Sequence, residues 1–224
     1  MVQSFLHPEA IPMAWQTWLL FVTTVFFLSG TPGPNMLLAL SHGIRYGARR
    51  AVATGIGAVL ALTLLQIISV TGLGALLAAS ETAFQVVKWC GVGYLVFIGV
   101  KTWRAEPHVD VSQAETAGLD ARPASAWKLG TQAFLVCFSN PKAIVFLVAL
   151  FPQFIDTTQP LVPQVTILAV TFGICEFLWI MAYATGGGRL VPILKRAGFG
   201  RLVNRLSGGM LIGAGALLAA VRRI

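Results

Sequence analysis

Of 224 residues, 56% are hydrophobic and only 11% charged, and the mean hydropathy is +0.78. A soluble domain carries about 25% charged residues, so this chain has too few polar side chains to cover a water-facing surface, and lipid must cover much of it. Its net charge of +8 lies in short basic clusters between apolar runs, the pattern that orients membrane proteins, which argues against a nucleic-acid partner.

A bilayer core of about 30 Å needs roughly 20 apolar residues as helix. The first qualifying run covers 14–42. No Lys or Arg precedes it within 1–13 and no cleavage site follows, so it is expected to be a retained span and not a leader. It is interrupted at 30–35 by Thr31-Pro32-Gly33-Pro34-Asn35. Proline lacks an N–H and clashes with the preceding turn, so the helix must unwind and restart, with Pro34 suited to the first helical position. In lipid the freed backbone groups must line protein or a cavity. A restarting helix offers N–H groups and a positive dipole end to a carboxylate, which makes Pro32, Gly33, Pro34 and Asn35 candidate substrate-binding residues.

Further runs cover 51–73 and 83–103. The polar stretch 106–125 is expected to be a cytoplasmic loop between two halves, 1–105 and 126–224. The fourth run, 126–154, is broken at 139–141. There Asn140 is a good N-cap and Pro141 a good first residue. The half-helix from Pro141 to Phe151 is about 15 Å long, so this restart also falls near the midplane. Lys142 then places a positive charge within the membrane, where such residues are functional or paired. The fifth run, 163–185, holds Glu176, an acidic residue deep inside a span that can bind a proton or a substrate ammonium, or pair with Lys142. The sixth run covers 206–221. Gln66 and Thr63 are weaker polar candidates, and Trp15, Trp18, Trp89, Trp103 and Trp127 are expected as interfacial anchors.

Backbone in lipid must bond internally, so the runs are helices. The expected fold is all-α integral membrane: six transmembrane helices as two inverted three-helix repeats, with the first and fourth helices broken. The repeat rests on the two proline breaks and on glycine-bearing final spans, Gly93 to Gly99 and Gly209 to Gly215. Inverted repeats with broken helices are a transporter pattern, with the site at the midplane. The loops after spans one, three and five hold twelve of the sixteen Lys and Arg residues, which puts them in the cytoplasm and both termini outside, against a smaller opposing signal from Arg222 and Arg223.

Cys90, Cys137 and Cys175 all lie in apolar runs without metal-binding or CxxC spacing and are expected as buried small side chains. A membrane thiol oxidoreductase would need paired cysteines in the broken helices, and a metal-ion exporter would need clustered His, Asp or Glu. Both are kept as alternatives. No cofactor, metal or enzymatic activity is expected.

Pro32-Gly33-Pro34-Asn35 resembles a motif of the lysine and threonine exporter superfamily of bacterial amino-acid efflux proteins. The runs Val87-Lys88-Trp89, Gly93-Tyr94-Leu95, 139–146 and Phe151-Pro152-Gln153-Phe154-Ile155 extend the resemblance over nearly the whole chain. The last two runs, with 209–220, are most similar to the homoserine, homoserine-lactone and threonine efflux branch. The resemblance implies a multi-pass protein of the bacterial inner membrane that exports small amino acids or derivatives, driven by the proton gradient. Its partners are then the substrate, protons and the bilayer, with a homodimer left open. Some relatives carry an acidic residue in the second span, where this chain has Leu62 or a neighbour, which argues against cationic substrates.

Overall fold

The computed structural model describes residues 13–31, 33–79, 81–105, 124–156, 158–194 and 197–220. Every regular element among them is helical. Helix α1 is Trp15–Gly30 and α2 is Pro34–Tyr46, joined across the first break. Gly47, at φ 80°, turns the chain at once into α3, Ala48–Ala79; this left-handed conformation is open to glycine at no steric cost. Helix α4 is Glu81–Arg104. In the second half α5 is Ala126–Phe138 and α6 is Pro141–Val145. Helix α7 is Leu161–Leu194 and α8 is Ala197–Ala220.

Among the described residues, two helices are long and apolar enough to cross a membrane, over Ala48–Gly72 and Leu161–Gly186, and a third candidate is the pair Ala126–Phe138 and Pro141–Val148, bent by 54° at its break. Helix α1 is a shorter apolar helix. Exposed apolar side chains such as Leu60, Phe97 and Leu178 suit a lipid-facing surface, and the five tryptophans expected as anchors are all exposed.

Three details depart from the sequence reading. The half-helix after Pro141 keeps α geometry only to Val145; Phe146–Leu150 is a π-helical segment and Phe151–Phe154 a 3-10 turn. The basic clusters expected in loops sit largely on helix ends. Arg45, Lys101 and Arg104 occupy last turns, where a cation complements the helix dipole, and Arg201 and Arg205 lie within α8. Helices α3 and α7 outrun the apolar windows because hydrophobicity marks the lipid-crossing part and not the hydrogen-bonded length. Most of the expected loop at 106–125, and Pro32, Arg222 and Arg223, lie outside the described residues.

The halves pack on each other. Helix α4 runs along α8, α3 along α5 and α7, and α7 also covers α1 and α2. Several of these crossings are made by small residues. A Cβ on Gly99 would stand 2.9 Å from the Gly208 carbonyl, and one on Gly57 would collide with the Gly130 carbonyl, so only glycine lets these helices approach so closely. At the centre, the ring of Phe21 on α1 packs against Phe146, Phe151, Phe154 and Phe172, at centroid distances of 5.0–6.4 Å. This buried cluster holds α1, the π segment and α7 together beside the two breaks.

Candidate functional site

The first break exposes the last carbonyls of α1, groups a helix end leaves without intrahelical donors. Thr31 bends away as its own Oγ1 donates to Phe27 O at 3.0 Å. The second half supplies the other donors: Lys142 Nζ donates to Leu28 O at 2.9 Å, and Tyr183 Oη to Gly30 O at 3.0 Å. Lys142 therefore acts here as the C-terminal cap of another helix, a role suited to a cation at a negative dipole end.

The chain then restarts at Pro34, behind an extended Gly33 that brings no side-chain cap. The first N–H groups of α2, at Asn35 and Met36, lack intrahelical acceptors by the geometry of any helix start. The second break differs. Asn140 Oδ1 accepts from Lys142 N at 3.0 Å, so the start of α6 is capped by its own sequence.

From the buried first turn of α2, Asn35 Nδ2 donates to Glu176 Oε1 at 3.1 Å, across 141 residues of sequence. Both side chains are buried. Glu176 comes from the middle of α7, whose long apolar helix carries it to the level of the break. Lys142 and Glu176 line one cavity, but the ammonium's bond is to the Leu28 carbonyl and the carboxylate's is to Asn35. That cavity has a volume of about 20 Å³ and is lined also by Ser29, Thr31, Gly33 and Asn140. It is room for a single water. Ser29 Oγ and Asn35 Oδ1 are buried there without a hydrogen-bond partner, and buried polar atoms left so are costly. A second cavity of about 220 Å³ adjoins it, sharing Gly33, Asn140 and Lys142 and including Pro34 and Pro141.

The structure thus gathers Gly33, Pro34, Asn35, Asn140, Pro141, Lys142 and Glu176 around two adjoining spaces. Thr63 bonds back to Val59 O within α3, and Gln66 is buried away from the break with neither amide atom partnered. Cys137 and Cys175 are buried as expected, but Cys90 is exposed on α4, because an apolar run in a helix also has an outward face. Cys137 also lies beside the Asn35 side chain.

Sequence reasoning passed over other buried polar residues at or near the site. Ser29 and Tyr183 carry no motif, and only the break's geometry selects them. His42 is buried on α2, with Nδ1 2.7 Å from Thr54 Oγ1 on α3 and the Gln132 side chain of α5 beside it. Its place in the sequence, near the basic turn, suggested a span end.

Residues 26–221 match the LysE type translocator family. The chain belongs to that family. It is 34% identical over 210 residues to a homoserine/homoserine lactone efflux protein of Salmonella typhimurium, covering 94% of this chain and 99% of the relative. It is also 34% identical over 205 residues to an uncharacterized membrane protein of Vibrio cholerae, with 92% and 97% covered. A leucine efflux protein of Enterobacter sp. is 28% identical over 204 residues, with 90% and 94% covered. No solved structure matches the chain. The LysE match takes in both proline breaks, Glu176 and the final helix, so the whole site lies inside the translocator region.

Proposed function

We propose that this LysE-type translocator is a secondary transporter of the bacterial inner membrane that exports small neutral amino acids or close derivatives, such as homoserine, threonine or homoserine lactone, in exchange for protons. One observation carries the reading: Glu176 is held by Asn35 at the uncapped start of α2, beside the Lys142 ammonium, in a cavity with unpartnered polar atoms. An α-amino acid has the complementary charges. Its carboxylate suits the first N–H groups of α2 and the Lys142 ammonium, and its ammonium suits Glu176 and the Asn35 carbonyl. The named efflux relatives support amino acids as the cargo.

The 20 Å³ cavity is too small for an amino acid, so the site is read as closed around Glu176, with the substrate entering by the larger chamber. Glu176 is the proposed coupling residue. When a proton neutralises it, its hold on the substrate ammonium is lost; when the proton leaves, the site binds again. Six spans in two inverted repeats fit the packing, since α1/α2, α3 and α4 find counterparts in α5/α6, α7 and α8, and the final helices of the halves pair. The deciding experiment is efflux from vesicles preloaded with a panel of labelled amino acids and their carboxamides. Export of threonine or homoserine but not of the amides is expected. Equal export of the amides would exclude the carboxylate site, and export of none of the panel would exclude the cargo class.

A further inference from the structure

Besides residues of the two breaks, the 220 Å³ chamber is walled by the closing helices of the two halves. Ile98 and Thr102 come from α4, and Met210 and Leu211 from α8. Ile98 and Thr102 are four residues apart and therefore share a helix face. The wall is firm, because α4 and α8 meet backbone to backbone where Gly99 faces Gly208. At about 30 Å³ per water, the chamber has room for about seven waters, and it falls below the roughly 300–1,000 Å³ of pockets for drug-sized ligands. That is the scale of one small amino acid.

Its chemistry is restrictive too. Among the described residues that line it there is no Asp or Glu, and its charged side chain is Lys142. A cationic side chain entering here would lose water with no counter-ion, beside a like charge. Leu28, Ile98, Met210 and Leu211 offer apolar surface instead. The Thr31 hydroxyl already donates to the Phe27 carbonyl, which leaves Thr102 as the hydroxyl on the far wall.

We propose that this chamber receives the side chain of the transported amino acid, and that Ile98, Thr102 and Met210 select small neutral side chains, aliphatic or hydroxylated, over bulky or cationic ones. The assignment rests on the export reading above. It gives the closing helices of the two halves a shared role in specificity, separate from the charges at the breaks.

The test is counterflow in vesicles holding the full-length protein, with labelled threonine, leucine, phenylalanine and lysine. A methylene or a hydroxyl in such a pocket changes discrimination by about 10–200-fold. Met210→Ala is expected to raise phenylalanine relative to threonine by about tenfold. Ile98→Phe should lower leucine relative to threonine by about the same factor, and Thr102→Val, which keeps the shape and removes the hydroxyl, should lower threonine relative to leucine. Lysine should stay near background throughout. Should a large substitution keep the protein from the membrane, Met210→Val and Ile98→Val test the same ratios with smaller changes. Ratios that do not move in any variant, or wild-type lysine transport matching that of threonine, would overturn the assignment while leaving export intact. A wild-type protein that moves none of the four would overturn the export reading itself.

Discussion

The ammonium of Lys142 donates to a backbone carbonyl and not to the Glu176 carboxylate that lines the same cavity. This gives the two residues separable consequences. Lys142→Met leaves the Leu28 carbonyl without its charged donor, a loss of about 1.5–3 kcal/mol for a hydrogen bond to a charged group, so reduced resistance to denaturant in detergent should accompany weaker transport. Tyr183→Phe removes the other cap of α1 at a smaller cost, about 1 kcal/mol, measurable in the same unfolding titration. Glu176→Gln is different, since a glutamine oxygen can still accept from Asn35. We expect normal expression and folding, loss of proton-driven accumulation in inverted vesicles, and retained substrate-for-substrate exchange. Full accumulation with an unchanged pH profile would place coupling elsewhere. Lys142, Glu176 and Asn35 were each legible in the sequence as polar residues in apolar runs. Their partners were not, because Leu28 offers only its backbone and Asn35 meets Glu176 from 141 residues away.

Both breaks were legible because proline and glycine act on their own and the next residue's backbone, and that is a local matter. The change from α to π to 3-10 geometry after Val145 was not, since packing around Phe146 and Phe151 sets it. The cap at Asn140 is a local feature with a testable value: Asn140→Ala should cost about 1 kcal/mol of stability and disturb the placement of Lys142, lowering transport. The close helix crossings are less forgiving. A leucine at Gly57 would drive its side chain into the Gly130 backbone, and overpacking of this kind costs about 1–3 kcal/mol. Gly57→Leu should therefore reduce the amount of folded protein more than a leucine at Gly72, which meets nothing within 4 Å. Size-exclusion profiles of the two variants compare them directly. Sequence showed that glycines recur; which of them face a neighbouring backbone required the tertiary arrangement.

At the scale of the molecule, the basic residues gather at the Arg45–Arg50 turn, the end of α4 and the start of α5, and are expected to face the cytoplasm. The turn near Asp156 then faces outward. It is an ordered reporter position, since Gln164 is buried beneath it, accepting from Asp156 N and donating to the Asp156 and Pro160 carbonyls. A single cysteine at Asp156, in a chain without Cys90, Cys137 and Cys175, should react with an impermeant maleimide added to intact cells. Reaction only after the cells are opened would invert the orientation.

The capping of α1 also has a consequence for how the protein is made. The donors to Leu28 and Gly30 lie 114 and 153 residues further along the chain. At about 5–20 residues per second of synthesis, they leave the ribosome roughly 6–30 s after the carbonyls they serve. Until then the end of α1 must keep contact with water or with the insertion machinery, because hydrocarbon offers its carbonyls nothing. Helix α1 is therefore made long before its carbonyls are all paired, and the first half expressed without the second should be degraded.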